Sequence, residues 1–570
     1  MDFKASLCAA LSSASSLPVD QIEEMLETPP NPEIGDFALP CFKLAKTMKK
    51  APAAIAAEIG EKLGGIEGFS KIEPVGGYLN FFTDRSSFAK TVVERVLRVG
   101  DKYGSSDEGA GRNVCVEYSS INIAKPFGIH HITTTVLGHS LKRIYDHLGF
   151  KTVSINHLGD WGTQFGKMIV AYNRWGDRER IENGDSMREL VALYVKFHEE
   201  AEKEPSLNDE ARAAFHRIEM HEPADWELFQ WFKDVTLKDV ARVYDLLGVD
   251  FDSYNGESFY EDKMPAIIKE LHDKGVSKVD NGMTIVDLSE YDMPPCIILK
   301  SDGSTIYATR DIAAAKYRKE TYDFYKSLYV VAYQQNLHFR QFFKVLELMG
   351  YEWAKDCVHV NFGMISMEDA TFSTRKGNAI YLEDVLNTAI EKTLAIIEEK
   401  SPNLENKAEV ARQVGVGALV FSVLYNNRIK DYTFSWDKSL NFDGETGPYA
   451  QYTYARSCSV LRKAADSGDA LDFSSGVDYA VLSDEASGNL LRAIDTLPEA
   501  IAQAAEKYEP YIISRKVIEI CSCFNKFYYD NRIMDEDTGV RNARLALTEA
   551  ARTAIKVGLF LVGLEAPERM

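Results

Sequence analysis

Apolar positions change their period along the chain. Residues 1–110 mix helical patterns, at Met48 to Leu63 and Phe88 to Val99, with strand-like pieces such as Gly76–Phe82 (GGYLNFF). They close on a Gly/Ser/Asp-rich stretch, Tyr103–Asn113, which marks a first domain boundary. From Val114 a strand (VCVEY) enters the loop Ser119–His131, then a helix from about Ile132 to Leu148, then a second strand at Lys151–Asn156. Ile132, Val136, Leu141, Ile144 and Leu148 share one helical face, so this unit predicts a helix packed on a parallel sheet. Strand-like runs at Cys296–Gly303, Ser327–Tyr333 and Cys357–Ile365 alternate with helical ones at Arg310–Arg318 and Phe339–Met349, the rhythm of a doubly wound sheet. From Leu382 to Met570 strand signals all but vanish. Amphipathic patterns at Glu383–Glu399, Val410–Leu424, Gly447–Ala464, Leu482–Lys507, Pro510–Asn531 and Val540–Leu564 predict an all-helical bundle.

The expected fold is therefore α/β: an α+β N-terminal domain (1–110), a Rossmann-like catalytic domain with a doubly wound parallel sheet (111–380), and an all-α C-terminal domain (381–570). An acidic helical insertion is expected at about 175–290. Within it, residues 181–260 hold 8 Lys and Arg against 19 Asp and Glu, over half of the chain's net charge of −21. Net charge thus reports one acidic segment and does not exclude a nucleic-acid partner, which needs only a local cationic track. Lys43, Lys46, Lys49, Lys50, Arg541, Arg544 and Arg552 are candidates for that track. The eight cysteines lack paired CxxC spacing and read as reduced core residues, so no metal site is expected. No apolar run reaches the ~18 residues of a membrane span, and the serine-rich start reads as a short amphipathic helix in preference to a signal peptide. A cytoplasmic protein is the expectation.

Two loops carry candidate chemistry. Ser119–His131 leaves the carboxyl end of a strand and opens a helix, where backbone N–H groups and the helix dipole favour phosphate. Lys125, Gly128, His130 and His131 could hold a nucleotide there, although a plain helix start with incidental histidines also fits. Thr371–Asn378 (TFSTRKGN) gathers Ser373, Thr374, Arg375, Lys376 and Gly377 into one cationic tip able to close over a triphosphate. Taken alone it fits a basic surface turn equally well. Together the loops point to nucleotidyl transfer, and no GxGxxG follows the first strand as a dehydrogenase would require.

Several segments resemble bacterial arginyl-tRNA synthetases in the family's own order. They are EYSSINIAKPFGIHHITTT, NHLGDWGTQFGK (Asn156–Lys167), IYATRDIAAAKYR (Ile306–Arg318), VVAYQQNLHFRQFFKVLELMGYEW (Val330–Trp353), FSTRKGN, NFDGETGPYAQYTYARS (Asn441–Ser457) and LEAPERM (Leu564–Met570). The resemblance implies arginine–tRNA ligase activity: arginine and ATP form arginyl-adenylate with release of pyrophosphate, and the arginyl group passes to the 3′ end of tRNA(Arg). It implies ATP with Mg²⁺ as substrate, no tightly bound cofactor, and a monomer. The first loop stands for the HIGH signature, placing Gly128, Ile129, His130 and His131 at ATP, with Ser373 and Thr374 of the second loop, which stands for KMSKS.

In-line attack on a phosphorus needs positioning and charge neutralisation more than proton transfer, so Lys125, His131, Arg375 and Lys376 are the expected catalytic groups. By position in the motifs, Asp311 and Tyr307 match guanidinium contacts, and Glu117, Asn122 and Gln335 match the rest of the arginine pocket. For tRNA, Tyr78 and Asn80 match elbow contacts, while Tyr449, Tyr452, Arg456 and Met570 match the anticodon-binding domain. Two departures stand out. The first signature, commonly HxGH, reads Gly128-Ile129-His130-His131, which opens an alternative reading as a tRNA-binding homologue with impaired adenylation. The second lacks a leading lysine, having Thr371, and Lys125 is placed to substitute for it. Another class I synthetase, for cysteine or glutamate, fits less well, because there is no thiol-selecting zinc cluster and the TRD segment suits a cationic substrate.

Overall fold

The strand Asn113–Glu117 is buried from Val114 to Glu117 and lies between Lys151–Ile155 and Lys326–Tyr329, with Cys357–His359 at the outer edge. All neighbouring pairs run parallel, and Glu117 stands in register with both Ile155 and Tyr329. Continuous apolar runs such as Val114-Cys115-Val116 suit strands covered on both faces. The helix His131–His147 covers one face and buries Ile132, Val136, Leu141 and Ile144, as their spacing predicts. It approaches closely at Gly138, where a β-carbon would lie 2.2 Å from the Tyr118 side chain. Helices Tyr307–Tyr322 and Asn336–Leu348 belong to another cluster that includes Ile312, Ala315, Phe342 and Val345.

The computed structural model describes residues 3–29, 31, 34–368, 380–472 and 476–570. They form two compact units, each assembled from separate stretches of chain. One takes in the chain up to Tyr103 with Ser457–Thr496 and Glu519–Ile555, and the other Gly104–Arg456, Leu497–Ile518 and Lys556–Met570. In the first unit the antiparallel strands Phe37–Pro40, Tyr78–Thr83 and Phe69–Val75 pack Leu39, Leu79 and Phe81 against Leu7, Leu11, Ile55 and Ile59. Asp36 accepts from the Thr83 N–H at 2.9 Å and Oγ1 at 2.8 Å and pairs with Arg85 at 3.0 Å.

The structure departs from the sequence expectations in three places. Cys296–Leu299 does not join the parallel sheet but an antiparallel one with Lys278–Asp280 and Met283–Val286, so the insertion expected to be helical ends in strands. A four-residue apolar run fixes strand character but not the sheet it joins. Tyr432–Phe434, within the expected bundle, pairs in parallel with Ile365–Met367, and three residues are too short to show alternation. The pattern Leu482–Lys507 is broken at Thr496 into helices Glu485–Asp495 and Leu497–Lys507, with Pro498, which cannot donate an N–H, in the first turn of the second. All eight cysteines are free thiols, with only Cys523 not fully buried.

The sheet and the helix Tyr307–Tyr322 are joined by a buried ion pair. Arg318, 1% exposed, places Nη1 2.5 Å from Glu117 Oε2, and its guanidinium lies 5.4 Å from the Tyr329 ring centre. Removing one partner of such a pair leaves an uncompensated buried charge. Arg318→Leu is expected to lower the stability of this unit by about 3–5 kcal/mol, and Glu117→Leu/Arg318→Leu to recover most of it, as read by urea denaturation.

Candidate active site

The chain leaves the central strand through strained backbone. Ser119, Ser120 and Ala124 have φ of 67°, 45° and 57°, a region that costs non-glycine residues of order 1–3 kcal/mol each. Neighbouring elements hold this turn. The Ser119 N–H donates to Thr134 Oγ1 at 3.1 Å, Ser119 Oγ lies 2.8 Å from the Tyr244 hydroxyl, and the Ala124 N–H donates to Thr236 Oγ1 at 3.2 Å. Asn122 is stacked against Gly159, where a β-carbon would fall 2.5 Å from Asn122 Oδ1. Lys125 is half-buried and carries no ion pair among the described residues.

The four residues Gly128-Ile129-His130-His131 are tightly tied. The Gly128 N–H donates to His131 Nδ1 at 3.2 Å, the Ile129 N–H to the Ile380 carbonyl at 3.0 Å, and the His131 and Ile132 N–H groups to Gly128 and Ile129 at 3.0 and 3.1 Å. The N–H groups of Gly128, Ile129, His131 and Ile132 are therefore engaged within the loop and its neighbour and are not the free backbone donors expected at this helix start. Side chains present the polarity instead. His131 Nδ1 lies 3.2 Å from the Gly128 nitrogen and 3.3 Å from the Gly128 carbonyl oxygen, so that residue holds the ring in either tautomer. Burial, reinforced by the adjacent His130 ring 4.0 Å away, brings His131 down to about 3, and burial also lowers His130, so both imidazoles are neutral at pH 7.

The inverted order of glycine and histidine has a steric explanation. A β-carbon on Gly128 would lie 2.9 Å from Nδ1 and Cε1 of His130 and 3.1 Å from the Ile380 carbonyl. The His130 ring thus fills the space beside position 128, and glycine there is what admits it.

Ser373, Thr374, Arg375 and Lys376 lie outside the described residues, but both flanks of their segment are placed. The Glu368 N–H donates to the Phe434 carbonyl at 3.0 Å, and Tyr381 bridges antiparallel to Gly128 while the Leu382 N–H donates to the Phe127 carbonyl at 2.9 Å.

The remaining pocket residues sit on helix Tyr307–Tyr322 and around it. Tyr307 is 66% exposed and, with Arg310, Trp161 and Glu261, lines a cleft of about 680 Å³. Asp311 is half-buried and accepts from His338 Nε2 at 2.6 Å, whereas Gln335 is exposed in the short turn Tyr333–Gln335. Glu117 is occupied by Arg318. Two residues escaped the sequence reading. Glu257 is buried, 3.3 Å from Arg310 Nη1; burial drives its carboxyl up, Arg310 opposes this, and Asp311 and Asp160 add to it, leaving it at about 7. His338 is the other. Each is a lone acid or imidazole in a sequence dense with both, and the only hint for Glu257 is its place in an aromatic-rich stretch (GESFY).

The tRNA candidates fall in both units. Tyr78 is 40% exposed and meets Phe42, itself 54% exposed, edge-on at 5.3 Å. Asn80 lies on the same strand face but is buried, its Cβ 3.4 Å from a β-carbon built on Gly35. In the other unit the Arg456 guanidinium lies over the exposed Tyr452 ring at 4.9 Å, Tyr449 is half-buried, and Met570 packs against the cluster of Ile397, Val410, Ala411 and Val414. Of the candidate track, Lys43, Lys50, Arg541, Arg544 and Arg552 are each paired to a carboxylate, whereas Lys46 and Lys49 are exposed. Local neutralisation weakens the contribution of the paired five.

Residues 92–436 match the family profile described as tRNA synthetases class I (R), catalytic domain; residues 450–570 match the DALR anticodon binding domain, and residues 1–83 the arginyl tRNA synthetase N terminal domain. The chain is 54% identical over 571 aligned residues to an arginine–tRNA ligase of Halothermothrix orenii and 52% identical over 570 to one of Clostridioides difficile, covering the whole of both chains in each case. It shares its fold with the arginyl-tRNA synthetase of Thermus thermophilus (TM-score 0.81, 24% identity, all of both chains) and that of Plasmodium falciparum (TM-score 0.79, 20% identity, all of this chain and 98% of that one). Nothing in these relatives supports the alternative of a homologue with impaired adenylation. With half its residues shared with curated relatives over the full length, the chain belongs to the arginyl-tRNA synthetase family of class I.

Proposed function

We propose that the chain charges tRNA(Arg) with arginine in two steps: attack of the arginine carboxylate on the α-phosphorus of ATP, expelling pyrophosphate, and transfer of the arginyl group from the adenylate to a hydroxyl of the terminal adenosine. The observation that carries this reading is that Tyr307 and Asp311 stand one turn apart on a helix bound through Arg318 to the end of the strand that launches the histidine loop, with Asp311 near enough to the buried Glu257 for its charge to raise that acid. A planar guanidinium satisfies carboxylate oxygens with its fork and lies flat on an aromatic face, and an ammonium matches neither demand as well. That difference selects arginine over lysine.

The remaining groups are assigned as follows. Lys125, at the end of the strained turn and with no ion pair among the described residues, offsets negative charge on the phosphates. His131, neutral at pH 7, borders the phosphates without adding charge of its own. His130 occupies the volume beside Gly128 and gives the adenosine a ring to lie against, while Ile129 supplies its apolar side chain. Asn122 orients the amino-acid backbone. Gln335, at the rim, closes the arginine pocket, and Glu117 acts on it through Arg318. Ser373, Thr374, Arg375 and Lys376 serve the triphosphate, which arrives with Mg²⁺ as part of the substrate. Tyr78 and Asn80 read the tRNA elbow; Tyr449, Tyr452, Arg456 and Met570 belong to the anticodon surface. The protein acts as a cytoplasmic monomer. Among the described residues no helix is long and apolar enough to cross a membrane.

The reading is tested by presenting total tRNA with each of the twenty amino acids; arginine alone should be attached, and charging with lysine or with nothing overturns it. Lys125→Met is expected to reduce kcat about 10²–10³-fold, the scale for losing one charge-stabilising contact, with little change in the KM for arginine. Asp311→Asn should instead raise the arginine KM about 100-fold and leave that for ATP unchanged. Gly128→His alone should abolish pyrophosphate exchange, while the reciprocal exchange Gly128→His/His130→Gly restores it, since only the single variant forces two rings into one volume.

A further inference from the structure

Asp311 already has one oxygen taken. Its Oδ2 lies 2.6 Å from His338 Nε2, in the first turn of helix Asn336–Leu348, and its other oxygen makes no hydrogen bond among the described residues. The imidazole is fixed in turn: it stacks on Phe342 at 6.3 Å with 16° between the planes and meets Phe339 edge-on at 5.4 Å. A carboxylate free to rotate offers a guanidinium many orientations, whereas one pinned by a donor at Oδ2 offers Oδ1 in a set direction.

We propose that His338 is a positioning residue of the arginine subsite, holding Asp311 so that Oδ1 faces the guanidinium, and that proton uptake by His338 weakens arginine capture on the acid side of neutrality. The inference rests on Asp311 being the guanidinium acceptor. A neutral imidazole leaves the carboxylate's charge available to a cationic substrate; an imidazolium cancels it at 2.6 Å. The surroundings place this titration in reach. Burial opposes protonation of His338, but the hydrogen bond and charge of Asp311, with Glu117 adding, raise it above the ordinary histidine value. The other groups facing it act differently. Glu117 is paired with Arg318; His359, on the edge strand, is brought down by burial to about 4 and stays neutral; burial pushes the Cys296 thiol up to about 12. Glu257, beyond Asp311 and at about 7, titrates in the same range, and its protonation also weakens binding of a cation.

Because two groups titrate together, the informative quantity is the difference between variants. The full-length protein is assayed for arginylation of tRNA(Arg) at about pH 6 and about pH 8, bracketing histidine titration. The wild-type arginine KM is expected to rise about tenfold between pH 8 and pH 6, within the limit of roughly tenfold per pH unit for one linked proton. His338→Gln keeps a donor for Oδ2 but does not titrate. Its arginine KM at pH 8 should stay within about threefold of wild type and its rise toward pH 6 should be at least about threefold smaller. His338→Leu, with no donor, should raise the arginine KM at both pH values while the ATP KM holds. Equal pH ratios in wild type and His338→Gln overturn the inference. Asp311→Asn separates it from its premise: an unchanged arginine KM in that variant removes Asp311 from the subsite, whereas a raised one, together with an unaltered ratio in His338→Gln, sinks the role of His338 alone.

Discussion

The contact between Glu117 and Arg318 is the constraint on which the arrangement of the reaction site depends. A guanidinium with 1% exposure is tolerable only with a carboxylate against it, and that carboxylate ends the central strand. The same residue is followed at once by the strained turn that carries Lys125 and the histidines. One ion pair therefore fixes two relations: how far helix Tyr307–Tyr322 stands from the sheet, and where the turn begins. Apolar side chains in its place preserve stability, but the charge pair also sets register, because it ties Arg318 of the helix to Glu117.

Around this pair the site divides its electrostatics by burial. The histidine loop carries imidazoles held neutral by burial and has Lys125 as its cation. On the side proposed for the amino acid, acids gather in a partly buried place and are countered by Arg310 and His338. A cationic ligand entering there meets groups whose own counter-ions are side chains, and binding becomes an exchange of partners instead of a simple attraction. Desolvation raises the cost of leaving any of these acids unpaired.

What could be read from the sequence follows a physical division. The helix expected from Ile132 to Leu148 runs from His131 to His147, because its burial is periodic and local. The strands at Val114 and Lys151 were visible as apolar runs for the same reason. Cys296–Leu299 was visible as a strand yet joins an antiparallel partner, since pairing depends on residues far away in the chain. The break at Thr496 was signalled by Pro498 but masked by amphipathic spacing on both sides. At the candidate site, Lys125, His131 and Asp311 were nominated through motifs that keep their order in the chain. Glu257 and His338 were not, because what distinguishes them is the company they keep in space.

The fit of His130 beside Gly128 bears on how such a signature can change over time. The motif HxGH and the arrangement seen here differ at two positions, and a side chain at 128 conflicts with the ring at 130. Neither single exchange from one form reaches the other without a stage that is either crowded or empty. Glycine at both positions is the stage free of overlap, and because His130 is exposed, loss of its ring there opens onto solvent.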